Sequence, residues 1–406
     1  MITNIRIKNF KAIKDTGNLK LNPISCFIGY NGSGKSSLLE ALLTLKEITT
    51  DGLDTAMQRW KGFENIQYKG TSRKIIEHKR LMAQDFIQVY DQPISFNVKC
   101  KNLGKRKSLY TSYNITSSIT KTVENDRIVF LEESIDPTTF GTIKRDIDGQ
   151  IFLEAVKEKN TLSYTNEKDS KWNIGMNTSL FSFDKIVDAL IEHDIREWQF
   201  LRLNPEEMGE PYPQKRTSGL IHLNPSGNNV AEYLLSIKET SLSAYESILN
   251  TMVSSVLPYA SDLQSELTSS VDRKIFLNLS EKNYKVPGWL LSTGTLRIVA
   301  LLAVLRNPKP APVVVIEELE NGLDPRTIFL VISEIRRFTK ETGSQVIFTS
   351  HSPYLLDLMN LKEIIFVEKI DGDVKFSKPS DNEDLAIWSE KFTPGKLYTM
   401  SRLNSR

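Results

Sequence analysis

Apolar positions recur with two different periods along this chain, and the change from one period to the other lays out its elements. Near the start, Ile5, Ile7 and Phe10 are spaced among Arg6, Lys8 and Asn9, which predicts a half-buried strand. Polar residues 14–18 turn the chain, and residues 19–28 predict a returning strand that ends in the apolar run Ile24-Ser25-Cys26-Phe27-Ile28. Leu38, Leu39, Ala41, Leu42 and Leu45 then fall at helical spacing. That helix reaches about residue 49, is broken at Thr50-Asp51-Gly52, and gives way to a short helix over 53–60. Between 85 and 175 the period returns to two, with strands expected at 96–98, 108–115, 128–131 and 151–153. The first two read as a hairpin about Asn102-Leu103-Gly104, and Asp148-Gly149 reads as a further turn. Residues 182–202 and 229–258 predict helices on either side of a stretch punctuated by Pro205, Pro211, Pro213 and Pro225.

The last third alternates regularly. Short strands at 275–279 and 284–286 precede a helix over 296–305, an apolar strand at 312–316, a helix over 327–342, a strand at 345–349 and a helix over 355–361. Strands at 364–367 and 374–376 close the pattern around Asp371-Gly372-Asp373. Strand–helix alternation is the signature of a parallel sheet, and the apolar run at 24–28 is a natural member of it. The expected fold is therefore α/β with a split core. Residues 1–85 form its N-terminal part with a β subdomain, 86–215 a mixed α/β insertion, and 216–406 its C-terminal part. No internal repeat and no sustained heptad pattern is present.

Composition narrows the picture modestly. A chain of 406 residues has mass for two or three domains, and 40% apolar with 25% charged residues is ordinary for a globular protein. The net charge of +2 gives no global field for nucleic acid. Locally, Lys99, Lys101, Lys105, Arg106 and Lys107 gather around Gly104, as a solvated loop tip or as a phosphate-tracking patch; a nucleic-acid partner stays open. Two cysteines, Cys26 and Cys100, make no disulfide framework and point to a reducing, cytoplasmic setting. The chain opens directly on its alternating strand, without a basic-then-apolar leader. The longest apolar run, 298–305, is too short for a bilayer and lies between Arg297 and Arg306, so a buried helix and no membrane are expected.

The chemistry gathers in a few blocks. Gly29-Tyr30-Asn31-Gly32-Ser33-Gly34-Lys35-Ser36 sits between a buried strand and a helix and fits the phosphate-binding P-loop. Backbone N–H groups of such a turn, and the helix N-terminus behind it, suit an anion. Lys35 is expected on the β- and γ-phosphates, Ser36 on Mg²⁺, and Asn31, Gly32, Ser33, Gly34 and Ser37 complete the candidate ATP-binding set. The strand at 312–316 ends in Glu317-Glu318, where a rigid strand would deliver one carboxylate to Mg²⁺ and the next to the attacking water. Leu291-Ser292-Thr293-Gly294 opens a helix: Ser292 or Thr293 is a plausible N-cap, and the same start is a second anion site. His78, His193 and His222 show no metal-ligand spacing, so no zinc is expected.

In chain order these blocks resemble the ABC-type ATPase set: Walker A, signature, Walker B, D-loop and switch histidine. Asn321-Gly322-Leu323-Asp324-Pro325 is similar to the D-loop, and Thr349-Ser350-His351-Ser352-Pro353 to the switch block. The opening Ile5-Arg6-Ile7-Lys8-Asn9-Phe10-Lys11 resembles the chromosome-segregation and break-repair ATPases rather than transporter subunits. The nearest group is the bacterial AAA-class, OLD-like ATPases, many of which occur in phage-defence gene pairs. The resemblance covers residues 1–80 and 215–406. It implies ATP and Mg²⁺ as cofactors, Ser36 and Glu317 on the metal, Glu318 and His351 in hydrolysis, Ser292 and Gly294 contacting ATP in trans, and Asp324 in the D-loop. It also implies a homodimer or higher assembly through the ATP sites and an effector protein encoded nearby. Two residues depart from the pattern: Glu317 stands where Asp is usual, and Leu319 where Pro is usual. The Q-loop glutamine is left open among Gln67, Gln84, Gln88 and Gln92. Glu368, Asp371 and Asp373 are too close together for a Toprim nuclease and read as a hairpin turn, so no nuclease is expected in this chain. The implied function is a nucleotide-driven switch acting on a separate effector in phage defence; the alternative is a DNA-repair or DNA-structure ATPase.

Overall fold

The structure is a computed structural model. It describes residues 1–70, 74–80, 85–101, 112–137, 142–149, 151–154, 178–180, 195–216, 221–269, 272–282, 284–382, 384–385, 388 and 391–403. The chain forms two units, one of residues 1–22, 29–197 and 367–377, the other of 23–28, 198–366 and 378–406. Elements are numbered along the chain.

The first unit is built on an antiparallel sheet. β1 (Ile2–Phe10) pairs with β2 (Ile13–Asp15) and β3 (Leu19–Lys20) on one side. On its other side the sheet continues through β7 (Ile94–Lys101), β8 (Ser112–Lys121), β9 (Ile128–Pro137), β10 (Thr142–Arg145) and β11 (Ile151–Glu154). β7 buries one face, with Ile94, Phe96, Val98 and Cys100 inward, while Ser95, Asn97 and Lys99 line the open face. The expected hairpin of 96–98 with 108–115 is present as β7 and β8, with Val98 opposite Ile115. Because β7 pairs directly with β1, the strands expected in an insertion belong to the same sheet as the N-terminus. A small hairpin, β5 (Ile75–Lys79) with β6 (Phe86–Tyr90), and the helices α1 (Lys35–Asp51) and α2 (Leu53–Arg59) complete the main elements. Gly52, at φ +83°, separates the two helices where the sequence places the break.

The second unit carries the expected parallel sheet. β12 (Gln199–Leu201), β17 (Val313–Ile316), β18 (Gln345–Ser350), β4 (Ile24–Ile28) and β19 (Ile364–Ile370) run parallel in that order. The end of β19 and all of β20 (Asp373–Ser377) belong to the first unit; β20 follows β19 through Asp371 and Gly372, both at positive φ, as a tight hairpin turn. The returning strand expected over 19–28 is split into β3 and β4. The helix expected over 182–202 ends as a strand, since Gln199, Phe200 and Leu201 pair with Val314, Val315 and Ile316; residues 181–194 lie outside the described residues. A second, antiparallel sheet holds β13 (Tyr212–Pro213), β14 (Ala260–Leu267), β15 (Lys274–Glu281) and β16 (Tyr284–Pro287).

The helices of this unit are α3 (Pro205–Gly209), α4 (Val230–Thr240), α5 (Leu242–Thr251), α6 (Thr293–Leu305), α7 (Pro325–Thr342), α8 (Pro353–Asp357) and α9 (Pro394–Thr399). α6 is buried from Thr295 to Leu305, which explains its nearly unbroken apolar run. Among the described residues no helix is long and apolar enough to cross a membrane.

Candidate nucleotide site

The glycine turn follows β4 and leads into α1. Two of its glycines are required by close neighbours. A Cβ on Gly29 would stand 1.9 Å from the carbonyl oxygen of Val367, and one on Gly34 would meet Val374 at 2.8 Å. Gly34 also has φ +106° and is the N-cap of α1, which has no side-chain cap. The first N–H groups of a seventeen-residue helix therefore lack a capping side chain, at the end where the macrodipole favours an anion. Lys35 is buried, and its Nζ donates to the carbonyls of Gly29 (2.8 Å) and Tyr30 (2.9 Å). The Ser33 hydroxyl is buried without a hydrogen-bond partner among the described residues. Asn31, Gly32 and Ser36 are exposed. A cradle of backbone donors, a pre-positioned ammonium group and an unpartnered buried hydroxyl suit a polyphosphate.

The second unit builds its own part from strand ends. β12, β17 and β18 are parallel neighbours, so the residues after them, Arg202, Glu317 and His351, leave the carboxyl edge of one sheet. Glu317 continues the ladder by donating its N–H to the Leu201 carbonyl at 2.8 Å. Its carboxylate meets Nε of Arg202 at 3.2 Å. Glu318 is exposed and held at φ +48° by its own main chain: its N–H donates to Thr349 Oγ1 (2.8 Å), and its carbonyl accepts from an Nη of Arg297 (2.8 Å). The Leu319 N–H donates to the Thr349 carbonyl at 3.1 Å, a bond that the Pro usual at this position in the resembled group could not make. Glu320 accepts from the His351 N–H at 2.5 Å, tying the block after the acidic strand to the switch block.

Ser292 is the N-cap of α6, accepting from the Thr295 N–H at 3.1 Å, and both Ser292 and Thr293 are exposed. A Cβ on Gly294 would stand 2.6 Å from the carbonyl oxygen of Gly322, so this glycine lets α6 approach the turn at 321–325. Asp324 caps α7, accepting from the N–H groups of Arg326 (2.9 Å) and Thr327 (3.2 Å). The hydrogen bond from the Thr327 hydroxyl, with these two N–H groups, holds the Asp324 carboxyl below its usual range. Arg297 is buried in α6 and also reaches the Leu203 carbonyl. Burial lowers its pKa, against a smaller upward pull from Glu318 and Glu320.

Glu317, Glu318, Gly294, Asp324 and His351 thus sit in one connected part of the second unit, while Lys35, Ser36 and their glycines belong to the first. The sequence reading passed over Arg202, placed inside an expected helix, and treated Arg297 only as the flank of an apolar run. Neither carries a motif; only pairing and burial reveal them. Of the glutamine candidates, Gln67 and Gln92 bond to each other, Gln67 Nε2 donating to the Gln92 carbonyl. Gln88 is exposed on β6, and Gln84 lies outside the described residues, as do Lys105, Arg106 and Lys107. Cys26 and Cys100 are buried free thiols, both pushed up in pKa by burial. Among the described residues no group of three His, Cys, Asp or Glu side chains could hold a metal ion by itself. A carboxylate such as Glu317 is the kind of oxygen donor that suits Mg²⁺, and the guanidinium beside it shows that it takes a cationic partner.

The family described as "AAA domain, putative AbiEii toxin, Type IV TA system" matches residues 24–357, and the chain belongs to it. It is an ATPase of the P-loop class. It is 22% identical over 404 residues to the retron Vc95 probable ATPase of Vibrio cholerae, spanning 92% of this chain and 74% of that protein. It is 25% identical over 198 residues to an uncharacterised protein of Methanocaldococcus jannaschii, spanning 48% of this chain and 54% of that one. The fold is similar to an Smc head bound to the C-terminal winged-helix domain of ScpA, with TM-score 0.55, 14% identity, and 93% and 97% of the two chains covered. It is equally similar to an Smc head with an extended coiled coil bound to the C-terminal domain of ScpA from Pyrococcus furiosus, with TM-score 0.56, 14% identity, and 96% and 98% covered.

Proposed function

We propose that this family member is a nucleotide-driven switch, an ATPase whose bound state controls a separate effector in bacterial anti-phage defence. The setting is supported by a relative named as a retron ATPase and by a family description that names a toxin and a toxin–antitoxin system. The switch reading rests on one observation above the others: the main chain of Glu318 is clamped between Thr349 at the end of β18 and Arg297 in α6. A carboxylate so held answers both to the switch strand and to the helix whose exposed start is the signature block.

In this reading the turn's N–H groups and Lys35 hold the phosphates, Lys35 exchanging the Gly29 and Tyr30 carbonyls for phosphate oxygens. Ser36 and Glu317 hold Mg²⁺, which supplies charge neutralisation at the phosphates when bound. Glu318 orients the attacking water and accepts its proton. His351 follows β18 directly and reads the γ-phosphate end. Ser292 and Gly294 serve the ATP of a second copy, and Asp324 fixes the start of α7 beside them. The neighbours named as Smc heads bound to ScpA domains support a head that docks a partner protein.

Glu318→Gln tests the assignment. It keeps the length and the main-chain clamp and removes the base, so ATP affinity stays within about twofold while hydrolysis falls at least about a hundredfold, the scale of general-base loss. ATP binding by calorimetry and phosphate release are measured on the same preparation. Hydrolysis within threefold of wild type, about 0.65 kcal/mol in the barrier, removes Glu318 from the role.

A further inference from the structure

Arg202 is the residue that the site's own chemistry leaves unexplained. The peptide group that leads into it is held at both ends, the Arg202 N–H donating to the Pro225 carbonyl (2.7 Å) and the Leu201 carbonyl accepting from the Glu317 N–H (2.8 Å). Its side chain is 77% exposed, and its polar partner among the described residues is Glu317, which Nε meets at 3.2 Å. The fork of two Nη groups has no partner among the described residues. Beside it lies a cavity of about 460 Å³, lined by Asn204, Ser226, Arg297, Glu317, Glu318 and Asn321, into which the guanidinium can turn. The carboxylate it touches is only 16% exposed. A carboxylate that withdrawn from water is unfavourable without a cation, whereas an exposed, singly bonded guanidinium is bound weakly and exchanges readily.

We propose that Arg202 is a positioning residue that holds Glu317 as a counter-ion until magnesium takes its place, so that it sets the magnesium concentration at which Glu317 takes up the metal. The proposal rests on the reading of Glu317 as the metal carboxylate. Glu317 in place of the usual Asp is consistent with it, because the extra methylene gives the carboxylate reach. Magnesium and the guanidinium compete for one oxygen set, and the metal prevails when its phosphate ligands are also present. Arg202 then swings into the cavity.

The test uses the full-length protein with ADP, which is not turned over, and Mn²⁺ as a paramagnetic stand-in whose binding is read by electron paramagnetic resonance. Arg202→Gln removes the competitor, and the Mn²⁺ concentration at half occupancy falls two- to fivefold, about what one exposed ion pair can exert. Arg202→Lys keeps a cation and stays nearer the wild-type midpoint. Glu317→Gln raises the midpoint at least about tenfold, as loss of one of few carboxylate ligands should. An Arg202→Gln midpoint that is unchanged while Glu317→Gln moves it overturns the counter-ion role alone. A raised Arg202→Gln midpoint overturns it in favour of a phosphate contact. A Glu317→Gln midpoint equal to wild type overturns the metal assignment itself, and the proposal with it. Arg202 is exposed and the strand before it pairs through the backbone, so the variants should stay folded, with thermal unfolding only slightly below wild type.

Discussion

Glu318 occupies the left-handed region at φ +48°, where a side chain with a Cβ is disfavoured by roughly 1–2 kcal/mol. Two main-chain bonds hold it there, one donated by its N–H to Thr349 Oγ1 and one accepted by its carbonyl from Arg297. Such strain is retained where the neighbours over-determine it, and it aims the side chain away from the line of β17. Thr349→Val keeps the shape and removes the hydroxyl acceptor, leaving the Glu318 N–H without its partner. Turnover should fall at least about tenfold, the scale of 1.4 kcal/mol in the barrier, while ATP affinity stays within twofold. The Michaelis constant and turnover number separate the two, and a variant with unchanged turnover would reduce Thr349 to a packing residue. Other motif residues have local reasons for their identity that need no ligand. Asp324 is a helix cap, and Gly294 is a glycine because Gly322 stands against it. These identities are legible as motif letters, but their cause becomes visible only with the packing.

At the scale of elements, strand pairing in the first unit sets a buried charge pair. Glu133 of β9 lies opposite Arg145 of β10. Its carboxylate accepts from the Ser179 hydroxyl (2.7 Å) and the Leu180 N–H (2.6 Å), which anchors residues 179–180 to the sheet. Burial pushes the Glu133 carboxyl up to about 7, while Arg145, the Leu180 amide and the Ser179 hydroxyl pull it down. The folded protein thus holds this proton more tightly than the unfolded chain does. The corresponding stability is complete below about pH 4.5, the ordinary value, and is lost as pH rises through about 7. The stability of wild type relative to Glu133→Gln should therefore decline from pH 5 to pH 8, whatever the constant offset between them. Denaturant titrations at four pH values check this, and parallel curves would refute it. Elements of this kind were unevenly legible. β1, α1, β17 and β18 follow from periodicity, because each shows one face or a full apolar run to the core. β12 did not, because three residues are too few to show a period and the helical pattern before it ran on. β14, with Ala260 and Leu263 its buried apolar positions, has too few to stand out.

For the whole molecule, the open question is how many copies make a site, and the signature block offers the observation to argue from. Ser292 and Thr293 are exposed at the start of the thirteen-residue α6, and Trp289 and Leu290 just before them are 47% and 69% exposed. An apolar rim beside an exposed helix start is a surface suited to cover by another molecule. If that molecule is a second copy, each ATP lies between Lys35, Ser36, Glu317 and Glu318 of one chain and Ser292 and Gly294 of the other. Such an interface is isologous, so one substitution damages both composite sites of a homodimer. Lys35→Ala and Ser292→Arg should then each be inactive alone. In a mixed dimer of the two, both defects fall on one composite site and the other is intact. Activity should return to about half of wild type per heterodimer if the sites act independently. Strict coupling would keep the mixture silent, so the deciding measurement is made on the single variant. A purified Ser292→Arg protein that hydrolyses ATP at the wild-type rate would mean that the block is only the start of α6. A self-sufficient monomer would then be the remaining reading. A Ser292→Arg protein that binds ATP normally, stays monomeric with ATP by light scattering and does not hydrolyse it would establish the shared site.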